Sequence, residues 1–197
     1  MDKFDINTFF RLVIPGYLAI FIYYLFQWDI LVQQNVPLLL FIGIPIGFVI
    51  HVIYRYFFKK VEEHMIDKDV QAIREFIPNL DGINSYLIAK SLDYVLMTDP
   101  ELEKLNYHIR FLYSRMHSYG KSIIAVIFSG VVCIIKNLPN YFPCEIVLRV
   151  SVLAVLLFFL FKNYIFLCEV HIPDWRRLII RTHGIGIEDT IRSLQNI

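Results

Sequence analysis

Charge is scarce in this sequence. Asp, Glu, Lys and Arg make up 19% of the residues, against about a quarter in ordinary soluble domains, while 57% are hydrophobic. Such a composition excludes a solvated, disordered chain. The formal net charge of +1 excludes a global field that would draw in nucleic acid. Cysteine is also scarce. Cys133, Cys144 and Cys168 are an odd number without metal-ligand spacing, so neither a disulfide framework nor a zinc site is expected. They read as small apolar packers, with Cys144 the one facing an oxidising side. No phosphate-binding loop, HExxH, CxxC or GxSxG motif occurs. No catalytic residue, metal site or cofactor is therefore expected, and the chain reads as a non-enzyme.

Long apolar runs are what the sequence does have. Ile123–Leu167 holds two of them, joined by a short turn rich in Asn and Pro, and the same pattern recurs near the N-terminus. A membrane helix needs about 20 predominantly apolar residues. Four spans are predicted, over Leu12–Gln27, Val36–Tyr54, Ser122–Leu138 and Ile146–Leu167. No strand pattern survives between them. The expected fold is an all-α polytopic membrane protein with four transmembrane helices and a helical cytoplasmic module between helices two and three. Its parts are a first hairpin (1–58), the module (59–120), a second hairpin (121–168) and a basic cytoplasmic tail (169–197). The first run lacks a small-residue cleavage site and ends on Trp28-Asp29, which reads as a retained span rather than a signal peptide.

Prolines and glycines punctuate the first hairpin. Pro15 and Gly16 predict either a kink or a helix start at Pro15, where the missing donor costs nothing. The IGIPIG run, with Gly43, Pro45 and Gly47, predicts close helix packing or a kink able to gate. His51 lies near the inner end of that span, and an ionisable group at membrane depth is a functional candidate. In the module, Ile66, Val70, Ile73 and Ile77 follow the helical period and continue span two. Asp99-Pro100 is a helix start, with Asp99 as cap, and the helix that follows runs towards span three with Gly120 as its weak point. In the second hairpin, Lys136 and Arg149 lie near the outer loop. In the tail, Pro173-Asp174 starts a helical piece and His183-Gly184-Ile185-Gly186 is expected to break it.

Counting Lys and Arg orients the chain. The N-terminal segment has two, the central module ten and the stretch from Lys162 onward five, whereas the two short loops share Lys136, with Arg149 beside the second. The positive-inside rule then predicts cytoplasmic termini and a cytoplasmic module in an inner-membrane protein. Pore or gating candidates are Pro15, Gly43, Pro45, Gly47, His51, Lys136 and Arg149. Arg110, Arg115, His117, Arg176, Arg177 and Arg181 are candidates for contact with a partner or with anionic headgroups.

Two resemblances follow from particular residues. Arg110 and His117, in NYHIRFLYSRMH, resemble the spaced Arg–His signature of the HEPN ribonucleases, which implies paired Arg and His at a dimer face cleaving RNA by 2′-hydroxyl attack. Phe111 departs from that pattern, which has a polar residue after its Arg. The whole outline, with RLVIPG at Arg11–Gly16, four spans and HIRFLYSRMHSYG at His108–Gly120, resembles the small membrane accessory proteins of RNA-targeting CRISPR and related phage-defence systems. That resemblance implies modulation of a cytoplasmic effector or permeabilisation of the membrane. The expectation is an oligomeric inner-membrane accessory or effector protein, with pore formation as its mode of action. A membrane anchor for a cytoplasmic partner, and a HEPN-like RNase, are the alternatives. The expected partners are the lipid bilayer, further copies of the chain and a cytoplasmic protein effector; nucleic acid has no support beyond the Arg–His pair.

Overall fold

The computed structural model describes residues 6–26, 36–77, 80, 82–137 and 143–195, and side chains over 13–23, 41–77, 80, 82–135 and 146–193. The loops 27–35 and 138–142 and the side chains of Lys136 and Cys144 lie outside this range. The described residues are all-helical. The elements are α1 (Ile6–Phe26), α2 (Val36–Phe76), α3 (Ser85–Thr98), a 3₁₀ turn (Pro100–Leu102), α4 (Glu103–Asn137), α5 (Pro143–Phe166), a π-helical turn (Leu167–His171) and α6 (Ile172–Gln195). Three helical stretches are long and apolar enough to cross a membrane: Phe41–Phe76, Pro100–Ile135 and Ile146–Ser193. A shorter apolar stretch covers Val13–Tyr23.

The chain falls into two compact units, Met1–Phe57 with Arg115–Tyr164, and Phe58–Ser114 with Ile165–Ile197. Helices α2 and α4 each contribute residues to both. The continuity expected of these two helices is observed, since α2 is 41 residues long and α4 is 35.

The first unit packs apolar stretches through small residues. Ile22, Val126, Cys133 and Leu153 form one buried cluster, and Ala19, Ile50 and Ala125 form another. Pro15 is neither a helix start nor a stop, because α1 begins at Ile6 and runs through it. Pro45 likewise lies inside α2. Prolines are tolerated inside apolar helices when neighbouring groups make up for the freed carbonyl. The tight point lies between α1 and α2. A Cβ on Gly16 would collide with the Gly43 carbonyl and lie 2.7 Å from the Gly47 nitrogen, so glycine lets the two backbones meet.

The second unit has a conventional buried core, with Ile73, Ile88, Leu92, Ile179, Ile180, Ile187 and Ile191 all without exposed surface. Its turns have explicit caps. Asn84 Oδ1 accepts from the Tyr86 N–H at 2.9 Å. Asp99 Oδ1 accepts from the Glu101 N–H at 2.9 Å, with Pro100 following it, which is the start signal read from sequence. The expected break in α6 falls at His183, which leaves helical geometry (φ −123°, ψ 26°) and divides α6 into two helical pieces joined by a kink. His183 Nδ1 lies 3.6 Å from Asp99 Oδ2, so the residue that caps the 3₁₀ turn also holds the kink.

Residues 172–195 therefore supply core rather than trail from it, with four Ile side chains of α6 packing on α2, α3 and α4 in one cluster. Ile180→Ala should cost about 2–5 kcal/mol, whereas Ile185→Ala, at a position 80% exposed, should stay within about 0.5 kcal/mol of wild type. Thermal unfolding of the purified protein in detergent checks both.

Candidate functional site

Polar groups with buried or apolar surroundings occur in three places. The first is Arg176, expected at the membrane surface beside Arg177 and Arg181. It lies instead inside the second unit at 6% exposure. Its Nε is 2.9 Å from Asp69 Oδ2, its Nη2 donates to Asp93 Oδ1 at 3.0 Å, and its Nη1 donates to Tyr113 Oη at 3.5 Å. The Nε contact is close but poorly aligned as a hydrogen bond, so its attraction is mainly electrostatic. A buried cation requires such partners, because an unpaired one costs several kcal/mol. Arg177 and Arg181 remain exposed, with the Arg181 guanidinium 5.6 Å from the centre of the Phe76 ring.

Burial opposes the Arg176 cation, and the charges of Asp69, Tyr113 and Asp93 outweigh it, so its proton is held more tightly than usual. Burial pushes the Tyr113 hydroxyl up to about 12, with Arg176 pulling the other way. Burial also raises the Asp69 carboxyl, and Arg176 offsets only part of that rise. Asp69, Asp93 and Tyr113 all face the same guanidinium, an arrangement that suits a structural role. Arg176→Met should cost about 3–5 kcal/mol by leaving Asp69 buried without its cation, and Asp69→Leu in the same chain should recover most of the loss. Chemical unfolding in detergent compares the two.

The second place is the π-helical turn, which sequence reasoning missed. Glu169 accepts from Lys68 and faces His64 Nε2 at 3.3 Å. His171 stacks on Phe166 with centroids 5.5 Å apart, and His108 packs edge-on against Trp175 at 5.2 Å. Turns of this kind often accompany function. No sequence signal marks this one, because its members come from α2, α4, the end of α5, the turn itself and the start of α6. Among the described residues no group of three or more His, Cys, Asp or Glu is placed to hold a metal ion.

The hydrogen bond from Lys68 lowers the Glu169 carboxyl below its usual value of 4.5, against a smaller opposing effect of burial. A depressed carboxylate contributes stability above its unfolded pKa and loses it as the pH falls through the folded one. The side chain is 43% exposed, so the contribution is screened and below about 1 kcal/mol. Wild type should exceed Glu169→Gln in melting temperature near neutrality, and the gap should close below pH 4.5. Melting curves across that range check it.

The third place lies within the first unit. Gly43 and Gly47 are buried against α1, while Pro45 is exposed. His51 is half-buried and its Nδ1 has no hydrogen-bond partner. Arg149 on α5 is half-buried and engaged within the chain. Arg110 and Arg115 are exposed on α4. His117 sits two turns beyond Arg110, with Nδ1 3.2 Å from Tyr54 Oη and the two rings edge-on at 5.7 Å. Tyr54 also lies against Gly120, where a Cβ would collide with its ring. His117 is thus occupied in helix packing.

The chain matches no protein-family model, and neither the curated proteins nor the solved structures give a significant match.

Proposed function

We propose that this protein is a four-span inner-membrane protein, with both termini and the module cytoplasmic, that assembles with copies of itself through α5 and acts as a non-enzymatic accessory or effector on the membrane barrier. The observation that carries this reading is the outer face of α5. Only 11% of its apolar window is buried within the chain, against 44% for α4. Leu153, Leu156, Leu157 and Leu160 face inward, and Val147, Ser151, Val155, Phe158 and Lys162 form an exposed stripe at helical spacing.

Lipid satisfies the apolar members of that stripe but not Ser151, Lys162 or the neighbouring exposed Asn163. Ser151 and Asn163 each donate to their own helix, at 2.7 and 2.8 Å, and the asparagine retains a carbonyl and a second N–H proton in need of partners. Polar side chains of this kind join membrane helices, at about 1–2 kcal/mol each in model systems. A conducting path along the stripe would be narrow and closed by rings of Val155 and Phe158. The setting in antiviral defence rests on the resemblance of the outline alone.

A second reading, an anchor for a cytoplasmic partner, is favoured by Tyr107 and Phe111, which are 75% and 47% exposed on either side of Arg110. It expects Arg110→Glu to abolish capture of that partner without affecting insertion.

Wild type in nanodiscs should show a multiple of the chain mass, and Ser151→Leu with Asn163→Leu should shift it towards monomer by about fivefold or more in concentration. A strict monomer would falsify the assembly. Ion flux into liposomes tests permeabilisation separately, and a tight oligomer without flux removes that half of the reading.

A further inference from the structure

We infer that residues 55–60 of α2 form a docking surface for the phosphate of an anionic glycerophospholipid at the end of span two. Arg55, Lys59 and Lys60 are exposed there. Among the described residues none of the three takes part in an ion pair. Two aromatic side chains share the stretch, Tyr56 at 81% and Phe57 at 61% exposure, with their rings edge-on and centroids 5.7 Å apart.

Helix geometry gathers these groups on one side of α2. At about 100° per residue, Arg55, Lys59, Tyr56 and Lys60 fall in that order within an arc of about 140°. Tyr56 thus sits between the two lysines, with a hydroxyl that can donate beside their ammonium groups. A phosphate in front of the arc meets three cations and one neutral donor. Aromatic rings are at home at the same level, since tyrosine suits the boundary between hydrocarbon and water.

Depth decides between lipid and water as the source of the negative charge. Span two ends at Tyr54, so Arg55 to Lys60 lie about 1.5 to 9 Å beyond it along the helix. The headgroup layer on each side of the hydrocarbon core is about 5–7 Å thick, and the three cations cover it. Glu62 and Glu63 are exposed on the same helix, but they begin about 12 Å beyond Tyr54, outside that layer. Glu63 lies one turn past Lys59, the less favourable order for a helical ion pair. Lys and Arg clustered directly beyond a span recognise anionic headgroups in this way. The inference rests on α2 crossing the membrane as proposed above, and not on assembly through α5. Extraction of membranes with alkaline carbonate tests the crossing by itself, so a protein that inserts without a lipid preference fails here alone.

The test titrates the purified full chain in detergent with phosphatidylglycerol and with phosphatidylcholine of the same acyl chains, reading bound lipid per chain by native mass spectrometry. Each engaged cation favours an anionic headgroup by about fivefold, so phosphatidylglycerol should bind at least about tenfold more tightly. Lys59→Gln with Lys60→Gln should remove most of that preference and leave thermal unfolding unchanged, because both side chains are exposed. Lys104→Gln, at an exposed cation in the first turn of α4, should leave the preference intact. Equal binding of the two lipids would overturn the proposal. A loss in Lys104→Gln as large as that of the double variant would also overturn it, by reducing the effect to net charge. Displacement of phosphatidylglycerol by an equal concentration of glycerophosphate would assign the cations to a free phosphate instead.

Discussion

One guanidinium fixes the second unit. Arg176 comes from α6, Asp69 from α2, Asp93 from α3 and Tyr113 from α4, so four helices meet at a single buried cation. The isoleucines around it supply most of the burial, but apolar contact is non-directional and would tolerate slippage of one helix along another. The planar fork of an arginine does not. Moving α6 by one residue would swing Arg176 about 100° around its helix, away from Asp69 and Asp93, and bury unpaired charges on both sides. The centre makes other registers costly, which matters more for specifying the unit than any net stability of the pair.

The first unit solves the same problem without charge. Between its helices the hydrophobic effect gives little, because lipid is as apolar as the side chains it would replace. Close backbone approach does the specifying. Gly16 lets α1 settle onto the Gly43 carbonyl, Gly43 leaves room for the Tyr17 ring, and Gly120 leaves room for Tyr54. A small residue at each of these places defines where helices cross, much as Arg176 defines register elsewhere. Tyr54 then reaches His117, a polar contact that joins α2 to α4.

Local signals in the sequence translated well into structure. The apolar runs, the period of Ile66, Val70, Ile73 and Ile77, and the Asp99-Pro100 start are all properties of adjacent residues, and they appear as helices and a cap, with three of the four runs of membrane length and the first a shorter apolar stretch among the described residues. Failures came where distant residues decide. Trp175-Arg176-Arg177 reads as a basic surface patch because the partner Asp93 lies 83 residues away and nothing local announces burial. Pro15 reads as a kink or a helix start because soluble-helix rules assume competing water, which apolar surroundings lack, and α1 runs through it. The break read at His183-Gly184, by contrast, is observed, with His183 outside helical geometry and a second helical piece beyond it that buries Ile187 and Ile191. The cluster at the π-helical turn brings His64 and Lys68 of α2 and His108 of α4 to residues 166–175, and no spacing rule could assemble it.

The exposed face of α5 and the groove at Pro45 make different demands on their surroundings. Ser151 and Asn163 are polar and exposed on α5, and hydrocarbon offers such groups no partner. The groove between α2 and α4 is walled by apolar side chains, which hydrocarbon satisfies as well as protein does. The two surfaces belong to different helices, so the polar demand and the apolar one are met separately.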